Sequence, residues 1–168
     1  MSRHDVDERE LLQNLLQRGY RYALSLTHNN EKAEDLLQDA WLSVLSKGGP
    51  RHVGYLFATI RNRFIDLDRR AAVLLVEPLE EGDLAGMEPQ AALEAEEVRV
   101  ELLALESALG TLRPEEREVL FLTAVEGFTA REVSQLTRRP RGTILSLAYR
   151  ARIKLREFMT RAESERRR

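Results

Sequence analysis

The segment TAREVSQLTRRPRG, residues 129–142, carries the pattern that decides the fold. Thr129 is followed three residues later by Glu132, a capping-box spacing that predicts the start of a helix. The arginines, proline and glycine at the end of the segment predict a tight turn. We therefore expect a short helix over residues 129–137 that ends in a sharp change of chain direction.

A longer basic helix is predicted directly after this turn, over residues 142–163. A short helix, a turn and a longer basic helix together predict a helix-turn-helix. Leu147 falls within the apolar stripe of the longer helix, whereas Leu145 shares another face with Tyr149 and is expected to be exposed. The stripe itself consists of residues at helical spacing, Ile144, Ala148, Ala151 and Leu155.

The rest of the chain has the same helical periodicity. Helices are predicted over residues 92–110 and 114–125, ahead of the helix-turn-helix, and over residues 7–27, 31–47 and 53–71 nearer the N-terminus. Asparagine, glycine and proline residues separate these segments. Because no segment shows the sustained alternation of a strand, the predicted fold class is all-α.

Charge divides the chain into three parts. The net charge is +1 over residues 1–70, −8 over residues 71–98 and +5 over residues 99–168. The acidic part contains two prolines and two glycines and shows no helical stripe until its end. It is predicted to form a flexible linker, residues 71–95, between two small helical domains, residues 1–70 and 96–168.

Composition argues against several classes of function. The 168 residues include no cysteine, so disulfides and thiolate metal sites are excluded, and three scattered histidines give no reason to expect a metal or a cofactor. The chain lacks a phosphate loop, a nucleophile elbow and a carboxylate–histidine cluster, so we expect neither catalytic residues nor an enzyme. Without a membrane span or a signal peptide, a cytoplasmic protein with no membrane insertion is expected.

Three segments, in this order, resemble the extracytoplasmic-function group of bacterial sigma factors. AEDLLQDAWLSVL, residues 33–45, resembles the family's core-polymerase-binding helix, and YLFATIRNRFIDLDRR, residues 55–70, is similar to its −10-reading and DNA-melting helix. Residues 112–156 resemble its fourth region, which reads the −35 element. The resemblance implies a sigma-2-like bundle and a sigma-4-like helix-turn-helix domain. It also implies three partners: RNA polymerase core, promoter DNA and an anti-sigma factor.

A polar stripe on the helix of residues 33–45 is the expected surface for polymerase core. Acidic and amide side chains on one face bind a basic helix through charge-assisted hydrogen bonds. The resemblance identifies that helix as part of the clamp-helix coiled coil of the polymerase's largest subunit. A solvated helix face is the alternative explanation. The stripe recurs at i, i+3, i+4 and i+7, in Asp35, Gln38, Asp39 and Leu42.

The helix of residues 55–70 combines arginines with aromatic side chains, as single-strand binding requires. Phe64 is the aromatic residue that we expect in the core, and Leu67 is also expected to point inward. An ordinary amphipathic helix with ion pairs on its surface is the alternative. The residues expected at the −10 element are Tyr55, Arg61, Asn62, Arg63, Arg69 and Arg70.

The surface expected to contact the −35 element surrounds the predicted turn and the start of the last helix. Leu145 stands where family members commonly carry a basic residue. It is expected to pack on thymine methyl groups, or instead on an inhibitor or on the first domain in a closed form. The whole set comprises Arg138, Arg139, Arg141, Thr143, Leu145, Ser146, Tyr149, Arg150 and Arg152.

The leading interpretation is an alternative sigma factor that binds polymerase core, recognises the −10 and −35 elements and initiates transcription. Two alternatives stay open. A sigma mimic would titrate an anti-sigma factor without binding DNA, which Leu145 and Leu147 favour. A helix-turn-helix regulator with no role in the polymerase would leave the segment of residues 33–45 without a purpose.

The linker is expected either to thread the path of the exiting RNA or to act as a solvated tether.

Overall fold

A computed structural model describes residues 3–73 and 94–166, and the regular secondary structure in these ranges is entirely helical. The predicted all-α class is therefore confirmed. A single π-helical turn, Phe121–Val125, also occurs. The α-helices of these ranges are α1 (Arg3–Thr27), α2 (Asn30–Ser46), α3 (Val53–Val73), α4 (Glu94–Gly110), α5 (Pro114–Leu120), α6 (Ala130–Thr137) and α7 (Arg141–Arg166).

The helices belong to two compact units. The first contains α1, α2 and α3, and the second contains α4, α5, α7 and most of α6. The predicted linker, residues 71–95, lies mostly outside the described residues. Its flexibility and the proposed domain boundaries therefore stay predictions.

The connection between α1 and α2 is held by side chains. Asn29 precedes α2, and its Oδ1 accepts a hydrogen bond of 2.9 Å from the Lys32 N–H, so that Asn29 is the N-cap of α2. The hydroxyl of Tyr20 donates to Oδ1 of Asn30 at 3.1 Å. Burial, together with the nearby charge of Glu34, raises the pKa of Tyr20. These contacts fix the end of α1 to the start of α2.

An aromatic pair occupies the centre of the first unit. Tyr22 on α1 and Phe57 on α3 have no exposed surface, and their stacked rings have centroids 4.4 Å apart. Leu36 on α2 and the α3 residues Leu56 and Ile60 complete this core. Burial of five large apolar side chains at one place, each contributing about 1.5–3 kcal/mol, accounts for the packing of the three helices.

The prediction that Phe64 is the core aromatic residue of α3 was wrong, because Phe57 takes that position. Phe64 is only half-buried, and Leu67, also expected inward, is exposed. The buried side chains of α3 end at Arg61. The remainder of the helix continues beyond the layer that α1 and α2 cover.

An ion pair between α5 and α7 stabilises the second unit. The carboxylate of Glu116 is only 3% exposed and accepts hydrogen bonds of 2.7 and 3.0 Å from Nζ of Lys154. It also accepts a bond of 3.0 Å from the Arg113 N–H, just before the N-terminal Pro114 of α5. Burial on its own raises the pKa of Glu116. The hydrogen bonds from Lys154 and Arg113 and their positive charges outweigh burial and lower it.

A buried arginine attaches α4 to α5. The guanidinium of Arg117 donates hydrogen bonds to the carbonyl of Leu112, at 2.7 Å, and to that of Leu109, at 3.4 Å. Carbonyls at the C-terminal end of a helix lack intrahelical partners and carry partial negative charge. Arg117 therefore supplies both donors and positive charge where α4 ends.

The π-helical turn extends α5 by a further five residues. The N–H of Glu126 donates to the Phe121 carbonyl at 3.1 Å, a five-residue separation, and the Thr123 hydroxyl donates to the Val119 carbonyl at 2.8 Å. The predicted helix of residues 114–125 therefore has the predicted length, but its last five residues form a π-helical turn and not an α-helix. Gly127, with a φ of 73°, then reverses the chain ahead of α6.

Candidate functional site

The polar stripe of α2 lies on the exposed side of that helix. Asp35, Gln38, Asp39 and Leu42 are all exposed, whereas Ala33, Leu36, Ala40, Ser43 and Val44 on the opposite side are buried. Leu45 is also exposed, one turn beyond Leu42, and sequence reasoning missed it. The α2 face therefore joins two carboxylates to two exposed leucines. Its role in binding the polymerase core stays a prediction.

The second half of α3 presents the residues expected at the −10 element. Of the α3 side chains that the structure describes beyond Arg61, none is buried. The acids Asp66 and Asp68 are exposed on the same stretch. Four of the residues expected to contact DNA are exposed in this half of α3: Asn62, Arg63, Arg69 and Arg70.

Arg61 is the one residue of the expected −10 set that is buried. It is 8% exposed, and it lies beside Ile60 and one turn after Phe57, on the side of α3 that packs against the core. This burial favours a role for Arg61 in the structure of the first unit. Its expected contact with the −10 element stays a prediction.

Tyr55 lies at the start of α3 and is half-buried. Its N–H donates to Nδ1 of His52 at 3.2 Å, so that His52 caps the helix. Its ring lies so close to Gly49 that a Cβ at Gly49 would collide with it. The predicted contact of Tyr55 with DNA is thus limited to the part of the ring that remains exposed.

The start of α6 has the predicted capping box. The carboxylate of Glu132 accepts a hydrogen bond of 2.7 Å from the Thr129 N–H, and Oγ1 of Thr129 accepts one of 3.3 Å from the Glu132 N–H. Hydrogen bonds from the Thr129 hydroxyl and N–H lower the pKa of Glu132. The capping-box prediction is therefore confirmed.

The turn between α6 and α7 contains an unusual backbone. Arg138 has a φ of 54°, in the left-handed region where glycine is favoured. The Ser134 hydroxyl donates to the Arg139 carbonyl at 2.6 Å and holds the turn from the side of α6. Such a backbone costs of order 1–3 kcal/mol, and in many proteins it occurs where a side chain has a function.

The buried and exposed sides of α7 are those that the sequence predicts. Ile144, Ala148 and Ala151 are buried and Leu155 is half-buried. Leu147 is buried as well, whereas Leu145 is 52% exposed and Tyr149 66% exposed. The predicted difference between the two leucines is confirmed.

Basic and polar side chains surround these exposed apolar groups. Arg139 is half-buried, and its Nη2 lies 3.8 Å from Oε1 of Glu115. The other basic and polar residues predicted at the −35 element are all exposed: Arg138, Arg141, Thr143, Ser146, Arg150 and Arg152. The α7 surface is thus a cationic surface with an apolar centre.

Two other kinds of site are absent from the described ranges. Within residues 3–73 and 94–166, no group of His, Asp and Glu side chains is arranged to hold a metal ion. No helix in the same part of the chain is both long enough and apolar enough to cross a membrane. The candidate functional surfaces are the α2 face, the second half of α3 and the α7 surface.

Comparison with known families matches both units. Residues 11–73, which span α1 to α3, match Sigma-70 region 2, and residues 102–155, from α4 into α7, match Sigma-70 region 4. The chain belongs to the sigma-70 family. The α2 face and the exposed half of α3 lie within region 2, and the helix-turn-helix lies within region 4.

Two individual relatives are similar to this chain over most of its length. The chain is 30% identical over 164 residues to the ECF RNA polymerase sigma factor SigE of Mycolicibacterium smegmatis, covering 93% of this chain and 63% of SigE. It is 28% identical over 161 residues to the ECF RNA polymerase sigma factor SigM of Bacillus subtilis, covering 93% of this chain and 97% of SigM. Both relatives are ECF sigma factors, so the chain is similar to members of the ECF group.

A solved structure resembles both regions together. The sigma factor RpoE, in complex with the anti-sigma factor NepR from Bartonella quintana, shares 25% sequence identity with this sigma-70 family member, with a TM-score of 0.72. The match covers 92% of this chain and 97% of that of RpoE. The two-region architecture is therefore shared along almost the whole length of both chains.

Proposed function

We propose that this chain is an alternative sigma factor that binds RNA polymerase core, recognises the −10 and −35 promoter elements and initiates transcription. The observation that carries the proposal is the presence of regions 2 and 4 in a single chain. A helix-turn-helix regulator would require only the second of them. Such a factor contributes specificity and strand opening and not a catalytic group, and it acts in the cytoplasm with the polymerase.

The α2 face has the chemistry that core binding requires. Two exposed carboxylates, Asp35 and Asp39, are one turn apart, and exposed leucines continue the surface toward the end of the helix. Carboxylates form strong charge-assisted hydrogen bonds with the arginines and lysines of a partner helix. The leucines add apolar area that is removed from water on binding. We propose that this face binds a basic helix of polymerase core.

Promoter DNA is the second proposed partner. Arg63, Arg69 and Arg70 are exposed on one stretch of α3, beside the amide of Asn62. Arginines track phosphates without regard to sequence, and an amide side chain is able to hydrogen-bond the edge of an unpaired base. The cationic α7 surface has the corresponding chemistry for duplex DNA, in which a helix of a helix-turn-helix enters the major groove.

An anti-sigma factor is the third proposed partner. RpoE, which this chain resembles along almost its full length, forms a complex with the anti-sigma factor NepR. Exposed apolar residues in both units, including Leu42 and Leu145, offer surface for such an inhibitor. A sigma mimic would use the same surfaces to titrate the inhibitor and would never bind DNA.

Run-off transcription with the purified chain, polymerase core and a library of randomised promoters tests the proposal. We expect transcripts from templates that share a −10 and a −35 motif, and none with core alone. Failure to bind core in a purified system would overturn the proposal. A chain that binds an anti-sigma factor but neither binds DNA nor starts a transcript from any template would instead be a sigma mimic.

A further inference from the structure

Part of the exposed α7 surface is apolar. Leu145 and Tyr149 are one helical turn apart, and each has more than half of its surface exposed. A shallow groove lies between them and is also lined by Ser146 and Arg150. Two large apolar side chains at the centre of a basic helix need an explanation, since neither takes part in the core of the second unit.

The polar side chains of this groove make hydrogen bonds to their own helix. The hydroxyl of Ser146 donates to the Gly142 carbonyl at 2.9 Å, and Nε of Arg150 donates to the Ser146 carbonyl at 3.3 Å. The hydroxyl proton of Ser146 and the Nε–H of Arg150 are thus not available to a base. Beside these groups, the groove exposes the carbon atoms of Leu145 and the ring of Tyr149.

Charge around the groove indicates what occupies it. Arg138 and Arg141 are exposed at the N-terminal end of α7, and Arg152 is exposed on the far side of Tyr149. A partner that complements this arrangement carries anions at its edges and an apolar group at its centre. The major groove of DNA has this pattern where thymine occurs, because phosphates line its rims and the thymine C5-methyl group lies on its floor.

We propose that Leu145 and Tyr149 form a contact surface for thymine C5-methyl groups, so that the −35 element is selected partly by its methyl groups. The inference rests on the proposed function and adds the chemical basis of its specificity. It predicts that the protein distinguishes thymine from uracil, which has the same Watson–Crick and major-groove polar atoms but lacks the methyl group. Recognition by hydrogen bonds alone would not distinguish the two bases.

Replacement of single thymines by deoxyuridine tests the proposal. The −35 element is first obtained by selection with the holoenzyme, and each of its thymines is then replaced on either strand. We expect the affinity of the holoenzyme to fall about fourfold at one or two positions, which corresponds to about 0.8 kcal/mol for one buried methyl group. Deoxyuridine outside the element should have no effect.

Two variants separate this contact from a general effect of uracil on DNA. Leu145→Ala should remove the discrimination between thymine and uracil. Leu102→Ala should preserve it, because Leu102 on α4 is exposed to the same degree, 51%, but lies outside the α7 surface. Both variants are assayed with the same templates at one salt concentration.

Three outcomes would overturn the inference while leaving the proposed sigma activity intact. The first is equal affinity for thymine and uracil at every −35 position, and the second is a selected element without thymine on either strand. The third is a Leu145→Ala variant that retains the discrimination and raises transcription in cells, which would assign the surface to a protein inhibitor. If the holoenzyme starts no promoter-dependent transcript, the proposed function itself fails.

Discussion

The Nζ atom of Lys154 lies 2.7 Å from Oε2 of Glu116, and these residues are 38 positions apart in the sequence. The pair joins the first turn of α5 to α7 two residues beyond Arg152, the last residue of the α7 surface. Because the carboxylate is almost fully buried, it is held in one position. The orientation of the α7 surface therefore depends on an ion pair that lies outside that surface.

Removal of this ion pair should destabilise the second unit. Glu116→Gln is expected to lower the free energy of unfolding by about 1–3 kcal/mol at pH 7, because it weakens charge-assisted hydrogen bonds. Denaturant unfolding, followed by circular dichroism, measures the change. Glu157→Gln serves as the control, since Glu157 is exposed on the same helix. Equal stability of the two variants would contradict the prediction.

The same pair should make stability depend on pH. The pKa of Glu116 is lowered in the folded state, whereas an unfolded glutamate titrates at about 4.3. The stabilising contribution is therefore fully present above the unfolded pKa and is lost as the pH falls through the folded pKa. The stability difference between the wild type and Glu116→Gln should shrink below about pH 4. A difference that stays constant down to pH 3 would show that the charge of Glu116 is not responsible.

Charge reversal on the α2 face should weaken core binding. Asp35→Lys combined with Asp39→Lys is expected to reduce affinity for polymerase core about tenfold or more, because two lysines would face a basic helix. The helical circular dichroism spectrum should not change, since both side chains are exposed. Glu10→Lys with Glu101→Lys is the charge-matched control at exposed positions on α1 and α4. Unaltered affinity of the Asp35 and Asp39 variant for polymerase core would contradict the proposal that the α2 face binds core.

Two neighbouring arginines on α3 should behave differently. Arg61→Ala is expected to lower the free energy of unfolding by about 1–3 kcal/mol, since it removes a buried side chain and leaves its partners unpaired. Arg63→Ala and Asn62→Ala should leave stability unchanged and reduce promoter opening more than initial promoter binding. Permanganate footprinting of melted thymines and thermal unfolding measure the two effects. Loss of promoter opening without loss of stability in Arg61→Ala would reverse the assignment of that residue.

Arg138 should show a trade-off between stability and DNA binding. Arg138→Gly is expected to raise the free energy of unfolding by about 0.5–1 kcal/mol, because glycine adopts the left-handed backbone without strain. Affinity should fall alike for all DNA sequences, and the salt dependence should decrease by about one phosphate contact. Arg141→Ala is the control, since it should weaken binding without a gain in stability. Unchanged DNA affinity of Arg138→Gly would show that the Arg138 side chain does not contact a phosphate.

Local signals in the sequence were sufficient to predict the helices and to predict which side of α7 is buried. The Asn29 cap and the Thr129–Glu132 capping box depend on residues three positions apart, so they are visible without a tertiary structure. The contrast between Leu145 and Leu147 follows from helical geometry alone. The roles assigned to the exposed residues came from the family resemblance, and they stay predictions residue by residue.

Features that depend on distant contacts were not predictable. Periodicity shows that Phe57, Arg61 and Phe64 share one face of α3, but it does not show where along the helix the neighbouring helices stop. Phe57 and Arg61 lie within that layer and Phe64 lies at its edge, so the core residue was misassigned and the burial of Arg61 was not foreseen. The buried Arg117 was missed for the same reason, since charge normally indicates exposure.

The π-helical turn at Phe121–Val125 determines where this segment tolerates a change in chain length. A π turn accommodates one residue more than an α-helix of the same rise, and each residue of an α-helix rotates the following chain by about 100°. Deletion of Ala124 would allow α5 to continue as a regular α-helix, and Gly127 and the start of α6 would keep their direction around the helix axis. Deletion of one residue from the regular helix Pro114–Leu120 would instead rotate them by about 100°. Loss of a single residue is therefore less disruptive in the π-helical turn than in the helix before it.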